Sequence, residues 1–332
     1  MIQRAREPMD RNLAMELVRV TEAAALSASQ HMGKGDKELV DQAAVDAMRF
    51  TLDSVRMDGI VVIGEGEKDE APMLYIGERI GDGSDPNVDI AVDPVDGTTL
   101  LSKGLPGAIS AIALSEQGTM HVPREVAYMN KIAVGPDARD AIDIEAPVSV
   151  NLRSIARALG RKIGELTVVV LDRPRHEQLL KEIRAAGARV KLISDGDVAA
   201  GIQAAMPDSG VDVLMGIGGT PEGVLTAAAI RCVGGEIQCK PWPRNDEERK
   251  RAHDAGLDLN HVYVTEELVS GDDVFFAATG CSTGELLHGV RYFTGGAETY
   301  SLVMRSRSGT VRRITSVHNF NLIDKVRARP RK

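Results

Sequence analysis

Six consecutive segments in the second half of the chain alternate between strand and helix, and this alternation limits the fold more than any other feature. LTVVVLD reads as a strand and HEQLLKEIRAAG as a helix closed by Gly187. ARVKLIS is a strand and DVAAGIQAAM a helix; VDVLMGIGG is a strand ending in a glycine loop. TPEGVLTAAAIRCVGG is a helix with Thr220 at its cap, Pro221 in its first turn and Gly234 beyond its end. Alternation at this spacing predicts a largely parallel sheet. DVFFAATG, ETYSLVMRS and GTVRRITSV follow as further strands.

The first half opens differently. Leu13, Leu17, Val18 and Val20, then an Ala-rich stretch, predict one helix ending at Gly33. Asp36 is placed to cap a second helix over 37 to about 55, with Val45, Met48 and Leu52 on one face. GIVVIG (59–64) is a glycine-bounded buried strand, and VDIAVDP (88–94) a strand stopped by its proline. The stretch from 108 to about 134 lacks a helical period and suggests neighbouring strands. A boundary is expected between residues 136 and 150, before Asn151 caps the next helix. It divides the chain into an acid-bearing half, 1–140, and a half with the binding loops, 141–332.

Charge narrows the partners. The 332 residues carry 48 acids against 40 bases, a net charge of -8, so nucleic acid is an unfavourable partner. A phosphorylated small molecule remains compatible if local cations offset the acids. Aromatic residues are 3% of the chain, so Ala, Val, Ile, Leu and Met must build the core. Cys232, Cys239 and Cys281 fit neither a disulfide framework nor a zinc motif and read as reduced apolar residues. No run reaches the roughly 18 apolar residues of a spanning helix, and MIQRAREPMD lacks an apolar signal core. The expectation is a cytoplasmic protein without a membrane partner. The basic end, RARPRK, reads as a solvated tail.

The acids are unevenly spread. Between Asp58 and Asp96 there are eleven, against Lys68 and Arg79. Three acidic stretches sit at strand ends or helix starts: GDKELVD (35–41), GEGEKDEAPM (64–73) and DPVDGTT (93–99). Strand ends of open α/β sheets are where ligands bind. Pro94 is expected to turn the chain out of the sheet so that Asp93 and Asp96 aim at one point. Gly97 permits close backbone approach, while Thr98 and Thr99 offer hydroxyls and N–H groups. Carboxylates for hard cations such as Mg²⁺ or Mn²⁺, followed by amides for an anion, are what metal-assisted phosphate hydrolysis requires. A surface Asp-Pro turn with capping acids would use the same residues; the several acidic strand ends, with DGTT following, favour the site. Lys37 and Asp41 share a helix face, where they could equally form an exposed ion pair. Glu67, Lys68 and Glu70 read as solvated loop charges, and Glu222 is a first-turn acid beside the open glycine loop of Gly216, Gly218 and Gly219. That loop is not a dinucleotide fingerprint, since Pro221 stands where a third glycine is needed.

The second half supplies cations. DRPRH (172–176) places Arg173 and Arg175 after a strand, and guanidinium forks suit phosphate oxygens. DGD (195–197) can hydrogen-bond sugar hydroxyls or form a turn and helix cap. Tyr128 reads as half-buried packing, and His176 as a helix-start residue.

GDKELVDQAAVDAMR, IVVIGEGEKDEAPMLYIGE, DIAVDPVDGTT, DRPRH, ARVKLISDGDVA and GIGGTPEGV together resemble class II fructose-1,6-bisphosphatase, from about Arg11 to about Val317. DPVDGTT alone points only to the wider lithium-sensitive sugar and inositol phosphatase superfamily. The resemblance implies an alternating α/β/α/β/α layered sandwich and hydrolysis of the 1-phosphate of fructose 1,6-bisphosphate in gluconeogenesis. It implies two or more divalent ions, Mg²⁺ or Mn²⁺, on Asp41, Glu65, Asp93, Asp96 and Glu222. Lys37, Asp69 and Thr98 would be catalytic. Gly97, Thr98, Tyr128, Arg173, Pro174, Arg175, Asp195, Gly196, Asp197 and Gly219 would contact the sugar bisphosphate. Relatives assemble, which implies a homo-oligomer. Asp96 stands where some members carry glutamate. The same resemblance leaves sedoheptulose 1,7-bisphosphate, inositol monophosphate and a non-catalytic sugar-phosphate sensor as alternatives.

Overall fold

The computed structural model describes residues 9–66 and 73–321. In chain order its elements are α1 (Leu13–Ser29), α2 (Lys37–Leu52), β1 (Asp58–Ile63), β2 (Arg79–Ile80), β3 (Asn87–Asp96), α3 (Thr98–Ser102), β4 (Ile109–Glu116) and β5 (Tyr128–Val134). They continue with α4 (Val148–Ala158), β6 (Thr167–Leu171), α5 (Glu177–Ala186), β7 (Arg189–Ile193), α6 (Asp197–Ala205), β8 (Val213–Gly219), α7 (Thr220–Val233) and β9 (Glu236–Pro241). The last are α8 (Asp246–Asp254), β10 (Tyr263–Val264), α9 (Thr265–Leu268), β11 (Phe275–Gly280), β12 (Arg291–Phe293), β13 (Gly296–Arg305) and β14 (Thr310–Asn319).

Two sheets carry the fold. The first runs β12-β13-β11-β4-β3-β1-β2, with β14 also paired to β13; the second runs β10-β9-β5-β8-β6-β7. On the outer face of the first sheet, α1 and α2 bury Leu17, Met48 and Leu52 against Val61, Ile90, Val92, Ile112 and Phe275. Between the sheets lie α6 and α7, whose Val198, Ile202, Val224 and Ile230 meet Ala91, Ile109 and Phe276 from one sheet and Met129, Val169 and Ile237 from the other. On the outer face of the second sheet, α4 and α5 pack Leu152, Ile155, Leu180 and Ile183 against Val168, Val170 and Met215. Each fully buried side chain of this size stabilises by about 1.5–3 kcal/mol. The layers thus alternate α/β/α/β/α, as expected. The small-residue faces of α6 and α7, rich in Ala, let both sheets approach one helical layer.

Several local expectations need correction. The first helix ends at Ser29, before Gly33, and α2 ends at Leu52; its cap is as expected, with Asp36 accepting from the Leu39 N–H at 3.0 Å. Thr220 is the first residue of α7 rather than its cap, because its hydroxyl donates to the Val126 carbonyl at 2.8 Å. Asn151 lies inside α4, where its side chain ties back to Asp143 and Ala146. The second sheet is mixed: β6 pairs parallel with β7 and β8, but β5 runs antiparallel between β8 and β9. The β8–α7–β9 crossover is intact and simply steps over β5. Finally, β4 and β5 are not neighbours but belong to different sheets, and β11 to β14 return to the first sheet. Residues 1–140 and 141–332 therefore exchange strands.

At Pro94 the chain departs furthest from its expected path. Strand β3 does not stop there but continues to Asp96. Asp93 opposes Ala111 and Asp96 opposes Ile109, so Pro94 and Val95 share the single opposing residue Ser110. This is a β-bulge, a place where a strand tolerates a residue without an N–H. In a regular strand, residues three apart point to opposite faces. The extra residue returns both aspartates to the inner face, the side of Ile109 and Ala111.

Candidate active site

The C-terminal ends of β1, β3, β6, β7, β8 and β9 gather the charged loops. From the first sheet come four acids. Asp41 lies on the second turn of α2, and Glu65 follows β1 directly. Gly64 is required beside it, since a Cβ there would meet the Leu74 carbonyl oxygen at 1.9 Å. The Asp41 and Glu65 carboxyls hydrogen-bond to each other; burial and the Asp41 charge push Glu65 up to about 8. Burial also raises Asp41, partly offset by that hydrogen bond. Burial raises Asp93 well above the carboxylate range, as do the charges of Asp96, Glu222, Glu65 and Asp41. Asp96, 4% exposed, is raised by burial and by Asp197, Glu222 and Asp195. Gly97, at φ 92°, starts α3, and the Thr98 hydroxyl donates to the Val95 carbonyl at 3.0 Å.

The second sheet adds the rest. Asp195, Gly196 and Asp197 link β7 to α6, with Gly196 left-handed at φ 82°. Gly219 ends β8, and a Cβ there would lie 1.9 Å from Oε2 of Glu222, so glycine lets this carboxylate fold back over the strand end. Glu222 is raised by burial and Asp197, and its Oε2 is buried without a hydrogen-bond partner. Arg175 donates through Nε and Nη2 to the Ile217 carbonyl at 3.2 and 2.7 Å, and its guanidinium carbon lies 4.9 Å from the Tyr128 ring centroid. Arg173 caps the short turn Pro174–His176, and Pro174 is exposed on it.

One contact joins the two edges, and a second braces the edge of the second sheet. Asp96 Oδ2 accepts from the Ala199 N–H at 3.0 Å, which makes it a cap for α6 supplied by the other sheet. Lys131 reaches from the inner face of β5 to Asp197 at 2.8 Å and is 2% exposed. This lysine was not anticipated; its signal is a lone charge in the apolar run YMNKIAV. His176 also has a role that sequence reasoning left unassigned. Its Nδ1–H donates to the Leu171 carbonyl at 2.7 Å and its Nε2 accepts from the Ile217 N–H at 2.7 Å, so a neutral ring braces the arginine loop against β8. Burial lowers its basicity and favours this state. A cavity of 520 Å³ adjoins Asp195 and Gly196 behind the acids, lined also by Leu100, Ala199, Ala200 and Gln203.

Of the expected residues, Asp93, Asp96, Gly97, Asp195, Gly196, Asp197, Gly219 and Glu222 adjoin across the two edges, with Tyr128 and Arg175 at the rim. Lys37 is exposed at the start of α2, and no ion pair joins it to Asp41. Asp69, with Glu67, Lys68 and Glu70, lies outside the described residues, as do the basic tail and most of the opening decapeptide. Among the described residues, no three His, Cys, Asp or Glu side chains close around a single point. The acids instead raise one another's proton affinity around an orphaned carboxylate oxygen. An all-oxygen donor set that is this acidic and this poorly neutralised fits hard divalent cations once side chains rotate onto them. Among the described residues, no helix is long and apolar enough to cross a membrane.

The model of the bacterial fructose-1,6-bisphosphatase family, glpX-encoded, matches residues 11–318. A D-fructose 1,6-bisphosphatase class 2/sedoheptulose 1,7-bisphosphatase of Synechococcus sp. (strain JA-2-3B'a(2-13)) is 45% identical, over 93% of this chain and 96% of its own. The protein of the same description from Thermosynechococcus vestitus is 44% identical, over 94% and 97%. The extragenic suppressor protein suhB of Bartonella henselae aligns at a TM-score of 0.34 and 15% identity, over 59% of this chain and 73% of its own, too slight a likeness to bear on the site. With nearly its whole length matched and relatives this close, the chain belongs to the glpX-encoded family of bacterial fructose-1,6-bisphosphatases.

Proposed function

We propose that the chain hydrolyses the 1-phosphate of fructose 1,6-bisphosphate to fructose 6-phosphate and phosphate, by direct attack of water and without a phosphoenzyme. One observation carries the reading: a set of half-buried acids short of cations gathers where the two sheet edges meet, beside arginines that have no carboxylate within ion-pair distance. Among the described residues neither Arg173 nor Arg175 forms a salt bridge. Asp41, Glu65, Asp93, Asp96 and Glu222 would hold divalent ions, Mg²⁺ or Mn²⁺. Such ions polarise a phosphoryl group and lower the pKa of water. The chain's own residues do the rest. Gly97 keeps the backbone open beside the reacting phosphate, and Thr98, with its hydroxyl beside the bulge, would orient the attacking water together with Asp69. Lys37 would approach from the start of α2. Asp195 and Asp197, the latter fixed by Lys131, would take sugar hydroxyls. Arg173 and Arg175, beside Tyr128, would hold the distant phosphate, so that its binding energy orients the reacting end.

The names of the Synechococcus and Thermosynechococcus relatives favour a second activity on sedoheptulose 1,7-bisphosphate. Cys232, Cys239 and Cys281 are buried free thiols, which suits the reducing cytoplasm as the setting. The test is phosphate release from fructose 1,6-bisphosphate, sedoheptulose 1,7-bisphosphate and inositol 1-phosphate, each with Mg²⁺, Mn²⁺ or chelator. Release from the two sugar bisphosphates that chelator abolishes is expected. Turnover of inositol 1-phosphate alone, or tight binding with no release under any divalent ion, would overturn the reading.

A further inference from the structure

The loop between β9 and α8 brings a third arginine to the same rim. Trp242 donates its N–H to the Tyr128 carbonyl at 2.9 Å, which pins the loop to the first residue of β5. Two residues on, the Arg244 guanidinium carbon lies 5.6 Å from the Tyr128 ring centroid, the ring that Arg175 also covers. Trp242 packs edge-on to that ring, with centroids 6.4 Å apart.

Arg244 is held in place by one acid. Glu248, 2% exposed, accepts the Arg244 backbone N–H at 2.8 Å and its Nε at 2.6 Å, and also pairs with Nη2. Glu248 is itself fixed, since its N–H donates to Asn245, the cap of α8. A carboxylate on one edge of a guanidinium leaves the other edge for a ligand. Among the described residues nothing accepts from Nη1, and half of the side chain remains exposed. Two guanidiniums gathered on one tyrosine repel each other. An anion with several oxygens in their plane relieves that repulsion and matches both forks.

We propose that Arg244 is a specificity-determining residue that binds the phosphate distant from the reacting one, jointly with Arg175 on Tyr128. This rests on the bisphosphatase reading above. The test compares Arg244→Gln with the parent protein on fructose 1,6-bisphosphate and on fructose 1-phosphate, which keeps the reacting ester and lacks the distant one. The expected result is KM for the bisphosphate raised about tenfold with kcat within about twofold, and no change on fructose 1-phosphate. Arg244→Lys, which keeps a cation but loses the fork, should fall between. It replaces the glutamine variant if the melting temperature shows that variant to be unfolded. Equal losses on both substrates, or no loss on either, overturn the proposal. If the parent protein hydrolyses neither substrate, the bisphosphatase reading fails by itself. Calorimetric binding of fructose 6-phosphate then decides Arg244: about tenfold weakening by Arg244→Gln supports it, and unchanged affinity overturns it.

Discussion

The two sheet edges that meet at the site handle charge in opposite ways. The edge of the first sheet gathers Asp41, Glu65, Asp93 and Asp96 with scarcely a cation, and each acid is driven toward its protonated form. The edge of the second sheet gathers Arg175 and Arg244 but satisfies each internally, one with a backbone carbonyl and the other with a buried glutamate. One edge is therefore unfinished without an added cation. On the other, which also carries the orphaned Glu222 oxygen, the two arginines are ordered before any ligand arrives. On the proposed reading the chemistry divides accordingly: the acids would hold ions, and the arginines would supply a preformed grip.

The largest effect should come from the acidic edge. Asp93→Asn is expected to lower phosphate release from fructose 1,6-bisphosphate by about 10³-fold or more at saturating Mn²⁺. Its melting temperature in chelator should stay close to the parent's, because asparagine matches the size of the protonated, neutral aspartate that the cluster favours. Near-normal turnover would dissolve the contrast between the edges. Next, Arg175→Ala removes a preformed grip. A loss of about 1.5–3 kcal/mol in kcat/KM, carried mainly by KM, is expected from a charge-assisted contact, and steady-state kinetics on the bisphosphate checks it. The smallest effect is on stability. Glu65 keeps its proton to about 8 in the folded chain, against 4.5 as the ordinary value. Between these values the native state binds more protons than the unfolded one, so stability falls as pH rises. Thermal melts in chelator should therefore show a declining melting temperature from pH 5 to 8. Added Mg²⁺ or Mn²⁺ should flatten that decline, whereas a slope indifferent to the metal would mean that the acids are not its ligands.

Much of this was legible beforehand, for local reasons. Asp36 announced α2 because a cap and the face it precedes are only a few residues apart. The β–α alternation announced the second sheet, because glycines and Pro221 punctuate it. What stayed hidden depended on long-range pairing. Pro94 signals a strand end from sequence, yet Ser110 across the ladder turns it into a bulge. Nothing near β5 says that it inserts between β8 and β9, away from β4. Lys131 could not be matched to Asp197, 66 residues away, nor Asp96 to Ala199, 103 away. Nothing in the proline-bearing loop around Arg244 says that Tyr128, 116 positions earlier, lies beside it.

The bond from Asp96 to the first turn of α6 ties the fate of two loops together. One carboxylate oxygen is committed to the helix that carries Asp197, while the side chain stands among the charges of Asp197, Glu222 and Asp195. Any ion that pulls on this side chain also loads the segment expected to clasp the sugar, and a sugar that draws that segment inward loads the ion in return. Thermodynamic reciprocity then requires that each guest change the affinity for the other by the same factor. If Asp96 is a metal ligand, as proposed, a residue shared between two sheets would build cooperative filling into the scaffold itself.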